Sequence, residues 1–136
     1  MDSLLNQLAT AKDSVKASIL IKVSLQYQSR DTEKSLKFCQ DAIILSEKLG
    51  NKPLIGNAYY RLGNIYNGTG DYTEAFKALL KAFNIFDQIK FYRGMANASN
   101  SISNMYMALK DSVSTLKYLK IGLENAKRSN DEGTIA

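Results

Sequence analysis

The chain has 136 residues, 45% of them hydrophobic and 23% charged, with a net charge of +5, one proline, one cysteine and no histidine. That length suits one domain, and that composition excludes both a disordered tail and a membrane protein. Without histidine, and with Cys39 alone, there is no histidine-based catalyst, Cys/His zinc site or internal disulfide, and no cofactor or metal site is expected.

In chain order, Leu4, Leu5 and Leu8 give residues 2–10 the apolar face of a short capping helix. Apolar spacing of three to four then predicts helix pairs over 13–29 and 31–49, 52–67 and 71–89, and 92–109 and 111–129. In the middle pair, Ala58, Leu62, Ile65 and Tyr66 line one helix, and the stretch Asn67-Gly68-Thr69-Gly70 breaks it with two glycines. Asp71, with Glu74 three residues on, reads as a capping box for the helix carrying Phe76, Leu79, Leu80, Phe83 and Phe86. Asp31 and Asp111 hold the same capping position in the flanking pairs. The longest uncharged run, Gly94 to Leu109, is rich in Asn and Ser and too short to span a bilayer. Met1 is followed at once by Asp2 and Ser3, so no signal peptide is expected, and the compartment is left open between cytoplasm and periplasm.

The pairs are repeats. Shifted by forty residues, Asn57, Ala58, Asn64, Tyr66, Asp71, Lys77 and Leu79 fall on Asn97, Ala98, Asn104, Tyr106, Asp111, Lys117 and Leu119. In the other direction Asp71, Lys77 and Ala82 fall on Asp31, Lys37 and Ala42. Small residues recur where helix axes must approach closely: Ser24, Gly63 and Ser103; Ser35, Ala75 and Thr115; Ala42, Ala82 and Gly122. Large fillers alternate with them: Val23, Leu62 and Ile102; Tyr27, Tyr66 and Tyr106; Cys39, Leu79 and Leu119.

The run Ala58 to Tyr66, followed by Gly70-Asp71-Tyr72 and Glu74-Ala75, resembles the tetratricopeptide repeat. Tyr59 stands where that family often has Trp, and the proline that commonly ends the unit is missing. The forty-residue period is similar to that of the family's long-helix subgroup, found in kinesin light chains, spindle-orientation adaptors and bacterial peptide-responsive regulators. The resemblance implies an all-α fold: a right-handed α-solenoid of antiparallel helix pairs, about seven helices in all. Its parts are the N-terminal helix at 2–10, repeats at 13–49, 52–89 and 92–129, and at 130–136 the start of a truncated fourth, as in a fragment of a longer protein.

No carboxylate pair converges for acid–base chemistry, and no phosphate-cradling glycine loop is present, so this segment is not expected to be an enzyme. Cys39 occupies a core position and reads as a buried small hydrophobe. The basic excess sits mainly at residues 75–128, with Lys77, Lys81, Lys117, Lys120, Lys127 and Arg128 on second helices, which the resemblance makes the outer, solvated wall. The distinctive surface is a polar ladder on the first helices. Asn57, Tyr60, Asn64 and Asn67 share one helical face, and Asn97, Asn100 and Asn104 repeat it. Asn is a mediocre helix former, so propensity does not explain such a face, whereas its amide can both donate to and accept from a peptide main chain. In the family the corresponding positions line a concave groove that holds partners. The first repeat differs there, with Ser18, Ile21, Leu25 and Gln28, either covered by the N-terminal helix or forming a pocket.

The resulting expectation is a protein- or peptide-binding module whose ligand is a separate chain or another domain of the parent. By resemblance it is the sensory or regulatory segment of a bacterial signalling protein, with a kinase or cyclase as a separate output domain. A self-association module is the alternative, and a nucleic-acid-binding basic solenoid a weaker one.

Overall fold

A computed structural model describes the backbone of residues 2–10 and 12–135 and the side-chain surroundings of residues 3–8 and 12–130. Seven helices follow one another: α1 (Asp2–Thr10), α2 (Asp13–Tyr27), α3 (Thr32–Leu49), α4 (Lys52–Thr69), α5 (Tyr72–Gln88), α6 (Tyr92–Ala108) and α7 (Ser112–Ile135). Each packs against its neighbours in the chain, and α4 also touches both α2 and α6. Among the described residues α3, α5 and α7 do not touch one another. The first helices of the pairs therefore crowd along an inner wall while the second helices splay outward, the arrangement of an α-solenoid.

The helix ends depart from expectation in several places. Asp31 accepts from the Lys34 amide at 3.2 Å, and Asp111 accepts from the Ser114 amide at 3.0 Å and its hydroxyl at 2.8 Å. Asp71 makes no such bond, and Glu74 pairs instead with Lys77 at 3.5 Å, so the capping box is not formed. Asn51, which the sequence reading passed over, caps α4 by accepting from Leu54 at 3.2 Å. Gly68 does not break α4, because its backbone stays in the helical ladder. The break comes at Gly70, whose φ of +83° turns the chain. After α5 and α6 the same left-handed turn falls on Lys90 (φ +56°) and Lys110 (φ +60°), where a side chain is strained. At the C-terminal end, α7 continues past 129 to Ile135. Residues 130–135, where the sequence suggests the opening of a fourth repeat, lie within that helix.

The small positions do the packing expected of them. A Cβ on Gly63 would lie 2.5 Å from Leu79 Cγ, so the leucine of α5 fills the space that glycine leaves on α4. In the first pair the positions of Gly63 and Ala75 carry hydroxyls. Ser24 and Ser35 each donate a hydroxyl to the other's carbonyl at 2.7 Å, which lets both be fully buried. Leu119 is the exception. It shares its repeat position with Cys39 and Leu79, both at 0% exposure, yet it is 41% exposed, because no helix covers that side of α7 among the described residues.

Two outcomes follow from the helix ends. Lys90→Gly and Lys110→Gly should each raise stability by about 0.5–1 kcal/mol in urea unfolding, the relief of left-handed strain exceeding the extra chain entropy of glycine. The bonds from the Ser114 amide and hydroxyl hold the Asp111 carboxyl below its ordinary value. Its capping contribution is therefore present above the usual carboxylate pKa and lost as pH falls through the lowered one. Below about pH 4 the parent protein should lose stability more steeply than Asp111→Asn, compared by thermal unfolding across pH.

Candidate binding groove

The polar ladder lies on α4 and α6, the two inner helices whose spacing is set by one aromatic ring. Phe86, near the end of α5, sits between them: a Cβ on Gly56 would come within 2.5 Å of its ring, and one on Gly94 within 2.7 Å. Phe91, in the turn that follows, meets Phe86 edge-on with ring centres 5.4 Å apart. Beside this pair opens a cavity of about 360 Å³ between the first turns of α4 and α6. Asn57, Tyr60 and Asn97 line it together with Leu54 and Arg61. The fold thus unites three of the ladder residues from two repeats around one space.

The other members part company. Asn67 donates its side-chain amide to the Ser101 carbonyl at 3.5 Å, and Gln28, its counterpart in the first repeat, reaches the Asn64 carbonyl at the same distance. These two amides tie one inner helix to the next. Asn100 leans on α7, its Oδ1 2.8 Å from where a Cβ of Gly122 would stand, which directs it away from the cavity. Asn64 and Asn104 lie farther along the inner wall, half-buried and exposed respectively. Among the described residues the side-chain amides of Asn57, Asn64, Asn97 and Asn104 make no hydrogen bond within the chain, so their donors and acceptors remain for another molecule.

Arg61 is the functional candidate that the sequence reading missed. It sits one residue from Tyr60 and breaks no pattern, and only the packing of α4 against α6 carries it to the cavity. In the first repeat both structural alternatives are partly realised. Ile21 is buried in a cluster against which Leu8 of α1 packs, whereas Leu25 and Gln28 line a separate cavity of about 420 Å³. Cys39 is fully buried and donates to the Ala58 carbonyl at 3.3 Å. Burial pushes its thiol up to about 12, against the smaller opposing effects of the Ser24 hydrogen bond and the Arg61 charge, and a thiol so held is not a nucleophile. On the side of α4 that faces α3 and α5, Tyr59 donates to Glu47 at 3.0 Å, with Lys81 4.5 Å from its ring centre. No described helix is long and apolar enough to cross a membrane.

Paired helices and glycine-set axes define a helical-repeat scaffold. Residues 17–88, more than half the chain, match the tetratricopeptide-repeat family, and the chain belongs to it. Over 100 residues it is 30% identical to response regulator aspartate phosphatase A of Bacillus subtilis (strain 168), covering 74% of this chain and 26% of that protein. The chain thus spans about a quarter of the length of this bacterial relative. Repeats of the tetratricopeptide family typically mediate protein–protein interaction.

Proposed function

We propose that this chain is the ligand-binding, regulatory segment of a larger bacterial signal-transduction protein, and that it captures an extended peptide or protein segment along α4 and α6. The observation that carries this reading is the set of uncommitted amides at Asn57, Asn64, Asn97 and Asn104 on the inner wall. An extended main chain presents donors and acceptors at regular intervals, and a column of asparagines on parallel-running inner helices can meet them without demanding a particular side chain. The similarity to a response regulator aspartate phosphatase supports a regulatory setting, while the phosphatase activity in that name is that protein's own. Occupancy of the groove, by a free peptide or by another domain of the parent, would be relayed to an output domain such as a kinase or cyclase.

Replacing Asn64 and Asn104 together by Ala should weaken capture of peptides from a synthetic library of short extended peptides by about tenfold or more, since each lost hydrogen bond is worth about 0.5–1.5 kcal/mol. The far-UV spectrum and unfolding midpoint should stay close to those of the parent protein. Undiminished capture would show that the groove lies elsewhere.

A second reading, self-association, is favoured by the outer face of α7, where Leu116 is 60% and Leu123 66% exposed beside Leu119. Lys117, Lys120, Lys127 and Arg128 flank this stripe against Glu124, so two copies meeting there would bring like charges together. If this face joins copies, light scattering should show a dimer whose population rises with salt, as screening removes the repulsion. A monomer at every salt and protein concentration rules that reading out.

A further inference from the structure

The second helix of each pair carries a diagonal row of side chains at i, i+4 and i+8. In α3 the row is Cys39, Ile43 and Glu47, and it faces the inner helix that follows. The Cys39 thiol donates to the Ala58 carbonyl of α4, Ile43 shares a core cluster with Ala58, and Glu47 accepts from Tyr59. In α5 the row is Leu79, Phe83 and Asp87, with Leu79 packed against Ile102 and Met105 of α6 and Phe83 against the cluster of Met95. Forty residues on, it becomes Leu119, Leu123 and Lys127. Among the described residues α7 packs on α6 alone, so both leucines are exposed. Leu116 is exposed beside them, whereas its counterparts Leu36 and Phe76 are half-buried. In two repeats the apolar part of the row is covered by a helix, and α7 presents the same contact surface uncovered.

The charge at the end of the row is reversed. Glu47 and Asp87 give way to Lys127, and on the same edge Gln40 and Leu80 give way to Lys120. Between Ser112 and Asn130 the one acid is Glu124, and among the described residues it forms an ion pair with neither lysine. A helix made like α4 or α6 would bring no carboxylate to these lysines, since neither contains Asp or Glu. A second copy of α7 would set lysine against lysine. We infer that the exposed row of α7 docks a helix of a partner protein that is apolar on one face and acidic along the edge of that face. Its apolar side chains enter between Leu116, Leu119 and Leu123, and its carboxylates reach Lys120 and Lys127. The apolar contact supplies most of the affinity, while the two lysines select the partner and fix its register. The groove on α4 and α6 takes no part in this contact.

The test uses the chain with three fluorescein-labelled peptides of about eighteen residues, long enough to form a helix in water. Each has leucines at helical spacing on one face, and the positions bordering that face are glutamate, glutamine or lysine. In anisotropy titrations at low salt the glutamate peptide should bind about tenfold more tightly than the glutamine peptide, with the lysine peptide weaker still, and added salt should shrink the difference. Amide NMR shifts should fall on α7 around Leu119 and Leu123. Lys120→Glu combined with Lys127→Glu, which returns the end of the row to the acid of the earlier repeats, should reverse the order of the glutamate and lysine peptides. The unfolding midpoint should stay close to that of the parent protein. Asn64→Ala combined with Asn104→Ala should leave the order unchanged, so failure of the groove and failure of the α7 face are told apart. Equal binding of the three peptides, or shifts confined to α4 and α6, overturns the inference. A dimer that persists at every salt and excludes the peptides also overturns it, giving the face to a second copy. Cosedimentation with phosphatidylserine vesicles in place of peptide binding overturns it in favour of a membrane surface.

Discussion

The insertion of the Phe86 ring between Gly56 and Gly94 is the contact on which the inner wall depends. Both glycines present bare backbone to the ring, Gly56 to its Cδ1–Cε1 edge and Gly94 to its Cγ–Cδ2 edge, so α4 and α6 close on it about one ring width apart. That separation places Asn57 and Asn97 around a single cavity and brings Arg61 to its wall. A side chain at either glycine would meet an aromatic ring that has little room to yield, with Phe91 already against its edge.

The preceding junction shows the same volume distributed differently. Forty residues earlier, Phe86 becomes the buried Ser46 and Gly94 becomes Leu54, which packs against the first core cluster. Large against small has become small against large, a compensation that keeps consecutive repeats at packing distance while changing what lines the space between them. Ser24 and Ser35 make a related exchange. Where the middle repeat uses Gly63 and Ala75, the first uses two hydroxyls, and these are accommodated because each finds the other's carbonyl. The repeats are thus alike in architecture and unlike in surface, and binding specificity can reside at one junction.

Charge differs between the two walls in how it is arranged. The lysines and arginines of α5 and α7 lie on second helices, and several rest on tyrosine rings, as Lys81 does on Tyr59 and Lys117 on Tyr118. The cavity between α4 and α6 holds a single cation among neutral amides. The second helices balance these cations with acidic residues, as Glu74 and Asp87 do on α5, so the net charge of +5 does not belong to the outer wall and says little about the electrostatics of any one surface.

Periodicity in the sequence was enough to determine the helices, their pairing and the small–large alternation, because a solenoid repeats its core contacts and every repeat reports on the others. Three kinds of feature escaped it. Gly56 and Gly94 are not repeat equivalents of each other, corresponding to Ala96 and Leu54, so comparing repeats conceals their joint role around Phe86. Helix termini depend on local geometry that residue type leaves open: Asp31 and Asp111 cap, Asp71 in the same position does not, and Lys90 takes the left-handed turn that glycine takes at Gly50. The ladder of asparagines was legible as one face of a helix, but whether an amide is used up within the fold depends on the neighbouring helix. Asn67 reaches Ser101, whereas Asn57 and Asn97 are left to a shared cavity with Arg61. Sequence by itself determined the scaffold, since that follows from contacts repeated along the chain. Tertiary structure alone decided the candidate site, since that is built from residues of two helices that meet only once the aromatic ring between them has set their distance.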